Sequence, residues 1–215
     1  LGDAQAQVRA RGAVNLHGIV NPTLLVQSFG STDNFNVRAN AQGAQRTSIF
    51  STYGADSAAR IASLTDDVVL HDINGSSATG TSPLFTAYPV FGTSILNANL
   101  YRQLLGYLPP SLSVTAHAGD VLLSERAVGG ALTMLPSANG QLELLAKGSV
   151  VLNAGLTMSD NDPATVASVL RPTQLPGTVL APTEGERHAA VPVHLGDLQP
   201  ARIVAIDGDV RGVSQ

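Results

Sequence analysis

The chain has no cysteine and no tryptophan, and only 13% of its 215 residues are charged. Each shortage excludes something. Without cysteine there is no disulfide framework and no thiolate metal site. Charge far below the ~25% of an average soluble domain, with twelve Lys+Arg against sixteen Asp+Glu, leaves no basic stripe. A nucleic-acid or anionic-membrane footprint is therefore not expected. No apolar run reaches the ~20 residues needed to span a bilayer, so no membrane span is expected here. Aromatic residues make up 4%. The 44% hydrophobic content is therefore carried by Ala, Val, Leu and Ile, which suits thin stacked layers better than a bulky centre.

What the chain does have is an echo. Val114-Thr-Ala-His-Ala-Gly-Asp-Val121 and Ile203-Val-Ala-Ile-Asp-Gly-Asp-Val210 share one frame: a β-prone run, a small or acidic turn, and an aliphatic restart. Ile61 to Val68 fits it. Leu144 to Val150 and Val8 to Val14 fit with one residue deleted, and Val37 to Ala44 fits loosely. The anchors Val8, Val37, Ile61, Val114, Leu144 and Ile203 are spaced by 29, 24, 53, 30 and 59 residues. Self-similarity at this period predicts a solenoid, one supersecondary unit stacked on the next. Glycine or aspartate at the turn is expected because either accepts left-handed or bridging backbone cheaply. The aliphatic residue after the turn is expected to point inward and stack on its counterpart.

The two long spacings predict excursions at about 71–110 and 155–200, each holding one poorly matching unit. The first contains the polar loop His71 to Pro83. It also contains an expected helix from Asn97 to Leu108, with Leu100, Leu104 and Leu108 on one face. The second is read as a helix over 160–172 with Asp162 as N-cap and Pro163 at the first turn, followed by a proline-rich loop. The fold class expected is all-β, a right-handed parallel β-helix forming one segment over 1–215. Leu1-Gly2-Asp3 resembles the tail of a turn, and Asp209 to Gly212 an interrupted strand, so an internal fragment of a larger protein is expected.

No catalytic constellation stands out. Asp67, Asp120 and Asp209 occupy matching turn positions, and with Arg126 they are the first candidates for a polysaccharide lyase or hydrolase. Ser149 holds the equivalent place in one unit, and the glycine-rich calcium nonapeptide is missing, so the turn itself accounts for them. Asp160-Asn161-Asp162 reads as a capping turn. His17, His71, His117, His188 and His194 show no metal-ligand spacing. No cofactor and no metal site is expected. Phe85, Tyr88, Phe91, Tyr101 and Tyr107 form the one aromatic concentration. It reads first as a small satellite core under the excursion and second as a platform for stacking a glycan.

The strings Leu112 to Leu123, Leu135 to Ala146, Leu156 to Pro163, His188 to Asp197 and Pro200 to Val210 resemble the passenger region of large bacterial exoproteins of the filamentous haemagglutinin type. The likeness covers roughly residues 60–215. It implies a parallel β-helix shaft, export through a cognate outer-membrane transporter, a secreted or cell-surface location, and a non-enzymatic role in attachment to a host or bacterial surface glycan or protein.

Overall fold

The computed structural model describes residues 5–16, 19, 53–71, 107–123, 132–153, 156–160, 193 and 201–212. These are all-β. Thirteen strands, β1 (Gln5–Ala10), β2 (Val14–Leu16), β3 (Ala58–Ser63), β4 (Val68–Leu70), β5 (Tyr107–Leu108), β6 (Ser111–Ala116), β7 (Val121–Leu123), β8 (Leu132–Met134), β9 (Leu142–Ala146), β10 (Val150–Leu152), β11 (Leu156–Met158), β12 (Ala201–Ala205) and β13 (Val210–Gly212), form three sheets. The orders are β1-β3-β6-β9-β12, β13-β10-β7-β4-β2 and β11-β8-β5. Every pairing is parallel.

The period-2 alternation of the sequence fixes which face each residue takes. In β6, Leu112, Val114 and Ala116 are buried, while Ser111, Ser113 and Thr115 between them are half-buried. The register then stacks like on like. Val8, Ile61, Val114, Leu144 and Ile203 are successive partners across the first sheet. Val14, Val68, Val121, Val150 and Val210 are successive partners across the second. Val114, Leu144, Val68, Val121 and Val150 are 0% exposed. Each such side chain gains about 1.5–3 kcal/mol by leaving water. The valine after each turn thus meets its counterpart, as the repeat predicted; Val14, Val68, Val121 and Val150 are buried, and Val210, at the end of the stack, is 52% exposed.

Three findings depart from the reading of the sequence. Val8 pairs directly with Ile61, so the segment around Val37 contributes no unit between them; Val37 itself lies outside the described residues. Residues 17–57 connect β2 to β3 without adding a strand between β1 and β3 in the first sheet. The expected helix over 97–108 ends instead in strand, because Tyr107–Leu108 pairs with Thr133–Met134 in the third sheet; the rest of that stretch lies outside the described residues. Leu156–Met158 likewise belongs to the third sheet, paired with Leu132–Met134, so the second excursion begins after it. The helix expected over 160–172 lies, from 161 on, outside the described residues.

The third sheet packs against the same core. Leu108, Leu132 and Met134 are buried with the valines and leucines of the other two sheets, and Met158 and Leu156 pack against them. Pro109 is fully buried just past β5, where a residue without an N–H ends a strand at no cost in ladder bonds. Buried hydroxyls at the corners are satisfied. Ser57 Oγ accepts from Gly54 N at 2.9 Å. Ser137 Oγ donates to Ala55 O at 2.8 Å and accepts from Asn139 N at 3.1 Å.

Candidate functional site

Two polar features stand on this frame: a ladder along the turns and a groove on the outer face of the first sheet. The ladder comes from the aligned aspartates. Asp67 Oδ1 accepts from Asp120 N at 2.7 Å, and Asp120 Oδ1 accepts from Ser149 N at 2.6 Å. Ser149 Oγ accepts from Asp209 N at 3.2 Å. The return bonds run the other way: Val14 N, Val68 N, Val121 N and Val150 N each donate at 2.9 Å to the carbonyl of Asp67, Asp120, Ser149 and Asp209 in turn. From Asp67 to Asp209 each turn is tied to the next by a backbone bond and a side-chain bond together. The carboxylates of Asp67 and Asp120 are thus engaged in holding turns, and Asp209 pairs with Arg211 at 3.0 Å.

The glycines follow from the same geometry, and for a reason the sequence did not suggest. None of Gly12, Gly119, Gly140, Gly148, Gly208 and Gly212 has a left-handed backbone. Close approach is what requires them. A Cβ on Gly119 would overlap Asp67 Oδ1, one on Gly148 would overlap Asp120 Oδ1, and one on Gly208 would overlap Ser149 Oγ. The glycine of each turn leaves room for the acceptor of the turn before it. The exception fits the rule. Ala13, the counterpart of Asp67 in the first turn, has no side-chain oxygen, and the residue stacked above it is Asp66, not glycine. Asp67 N then turns to Asp66 Oδ1 at 2.8 Å.

The groove has a volume of about 330 Å³ and lies over β3 and β6. Gln7, Arg60, Ser113, Glu143 and Arg202, the outward row one residue before each core anchor, are register partners in turn, and the middle three line the groove. Ser113 is short between two long neighbours, and Ala58 and Ser111 make the adjacent row short as well. Arg60 Nη1 donates to Gln5 Oε1 at 3.1 Å on one side. On the other, Ser113 Oγ donates to Glu143 Oε2 at 3.2 Å, and Asn139 Nδ2 to Asp56 Oδ1 at 2.7 Å. Arg202 approaches Glu143 at 3.8 Å, with both side chains largely in water, so this pair adds little.

Among the residues singled out from the sequence, the structure brings Asp67, Asp120 and Asp209 onto one turn edge and places Tyr107 in β5. Phe85, Tyr88, Phe91, Tyr101 and Arg126 lie outside the described residues. Among those described, no group of three or more His, Asp or Glu side chains is arranged to hold a metal ion, and no helix is long and apolar enough to cross a membrane. The groove residues were missed. Their signal was present, because Arg60, Ser113 and Glu143 all stand one place before an anchor of the repeat. Against protein-family models, curated proteins and solved structures, the chain shows no match.

Proposed function

We propose that this chain is a structural shaft segment, a right-handed parallel β-helix that holds its excursions at fixed spacing for attachment to a surface. The observation that supports this reading most is the unbroken register. Five strand–turn–strand units stack in parallel with one aliphatic column in each of two sheets, and side-chain acceptors tie successive turns from Asp67 to Asp209. Such a ladder resists bending and sliding, since a one-residue slip would turn every core side chain outward. Each unit contacts chiefly its neighbours, so folding can propagate from unit to unit as a chain emerges from a transporter. The likeness to haemagglutinin-type exoproteins adds the setting: secretion to the bacterial surface and a role in adhesion without catalysis.

The test is an adhesion assay with the purified chain coated on beads. Replacing residues 72–106 or 161–192 by short Gly/Ser linkers is expected to abolish attachment to host or bacterial surfaces while the far-UV circular dichroism stays that of a β protein. Attachment that survives both replacements, or turnover of a polysaccharide lost on Asp120→Ala, would refute the shaft reading.

A further inference from the structure

We propose that the groove over β3 and β6 binds a neutral, hydroxyl-rich oligosaccharide. The groove exists because two outward rows are short in their middle. Ala58, Ser111 and Ser113 form its floor, and the long side chains of Gln5, Arg60, Gln141 and Glu143 rise on either side. Arg60 and Glu143 stand two strands apart, roughly 10 Å at the spacing of a sheet. The volume of about 330 Å³ lies at the lower end of the ~300–1,000 Å³ found for small-molecule sites.

The chemistry of the walls selects the ligand. One wall offers the guanidinium donors of Arg60, of which Gln5 takes Nη1. The other offers the carboxylate of Glu143 and the amides of Asn139 and Gln141. A cationic donor on one side, and on the other a carboxylate acceptor beside amides that both give and accept, match vicinal hydroxyls, which give and accept hydrogen bonds from adjacent carbons. The groups are also held in place before any ligand arrives. Arg60 is fixed by Gln5, Glu143 by Ser113, and Asn139 by Asp56, and such preorganisation lowers the cost of binding.

Other classes fit less well. With Asp56 and Glu143 against the single cation Arg60, the lining is net acidic, which disfavours anionic glycans and nucleic acids. The apolar groups lining it are Ala58, Ala59 and Leu112, and Ala59 and Leu112 are turned into the core with 2% and 1% exposure. An apolar ligand or the side chains of a peptide would gain little. A peptide backbone cannot add as a strand either, because β3 is already paired with β1 and β6, and β6 with β3 and β9.

The experiment is a titration of the intact chain with maltohexaose, cellohexaose and chitohexaose, and with a heparin hexasaccharide, followed by backbone amide chemical shifts. At least one neutral probe is expected to bind, with shifts concentrated at Ala58, Ser111 and Ser113. Ser113→Leu fills the floor and is expected to remove the response. Arg60→Ala takes away the donor wall without crowding it and is expected to weaken binding at least fivefold. Arg211→Ala, on β13, leaves it unchanged. Failure of all three neutral probes overturns the proposal. So does a heparin hexasaccharide that binds more tightly than any of them, or an affinity untouched by Ser113→Leu and Arg60→Ala in folded protein. None of these outcomes bears on the shaft reading, which does not require the groove.

Discussion

Replacing Gly148 by alanine probes the turn ladder at its tightest point. The new Cβ would overlap Asp120 Oδ1 and come within 3.2 Å of both Asp120 Cγ and Gly119 O. The carboxylate must move, and with it goes the 2.6 Å bond from Ser149 N. A hydrogen bond to a charged group contributes about 1.5–3 kcal/mol. Against this, alanine restricts the unfolded chain and returns about 0.4–1 kcal/mol. Gly148→Ala is therefore expected to destabilise by ~1–2 kcal/mol. Asp120→Ala alone removes the same bond and costs about 1.5–3 kcal/mol. In the Asp120→Ala background the bond and the overlap with the carboxylate are gone, and the remaining 3.2 Å approach to Gly119 O offsets the gain from restricting the unfolded chain, so Gly148→Ala should change stability by less than ~0.5 kcal/mol. The cycle then yields a coupling energy of ~1–2 kcal/mol, well above the additivity error of distant sites. Gly12→Ala is the control. Nothing lies within 4 Å of a Cβ there, and the change is expected to be neutral or to stabilise by up to ~1 kcal/mol. The assay is urea unfolding followed by far-UV circular dichroism, since the chain has no tryptophan. Additive effects of Gly148→Ala and Asp120→Ala, or a Gly12→Ala cost equal to that of Gly148→Ala, would show that close approach is not what selects these glycines.

Other consequences can be checked by the same unfolding measurement. Leu144→Ala, at a site 0% exposed, is expected to cost about 2–5 kcal/mol, whereas Val210→Ala, in a core column but 52% exposed, should stay within ~0.5 kcal/mol. Ala146→Leu places a large side chain in the small column that also holds Ala116 and Ala205, and overpacking of ~1–3 kcal/mol is expected. Lys147→Ala removes the ion pair with Asp207 at 2.5 Å, but both side chains are more than half exposed; the loss should be under ~1 kcal/mol and should vanish at high salt.

The first two sheets were legible because their periodicity and turn spacing repeat. Aligning the residue before each restart also found the turn column of Asp67, Asp120, Ser149 and Asp209 in advance. Three things were hidden. The third sheet has strands of two or three residues, too short for alternation to register, although Leu-Thr-Met occurs identically at 132–134 and 156–158 and is paired in register. The pairing of Val8 with Ile61 was masked by the loose match at Val37, because a repeat read along the chain assumes that neighbours in sequence are neighbours in space. The role of the glycines depends on an atom of another turn, Asp120 Oδ1 for Gly148, and no local pattern carries that information. The groove was readable only in part: Arg60, Ser113 and Glu143 each stand one place before an anchor, but what makes a groove of them is the short Ser113 flanked across the register by two long neighbours.

The central claim is the stacking order, and the absence of cysteine allows it to be measured by introduced pairs. Arg9 faces Ala62, Ala62 faces Thr115, and Thr115 faces Leu145 across the outer surface of the first sheet. Adjacent strands lie about 4.8 Å apart, within the ~4.4–6.8 Å that a disulfide spans between Cα atoms. The pairs Arg9→Cys with Ala62→Cys, and Ala62→Cys with Thr115→Cys, are expected to oxidise to intramolecular disulfides. The pair Ala62→Cys with Leu145→Cys, two strands apart, should remain reduced. An Arg9–Ala62 pair that fails to close while Ala62–Leu145 does would contradict the account.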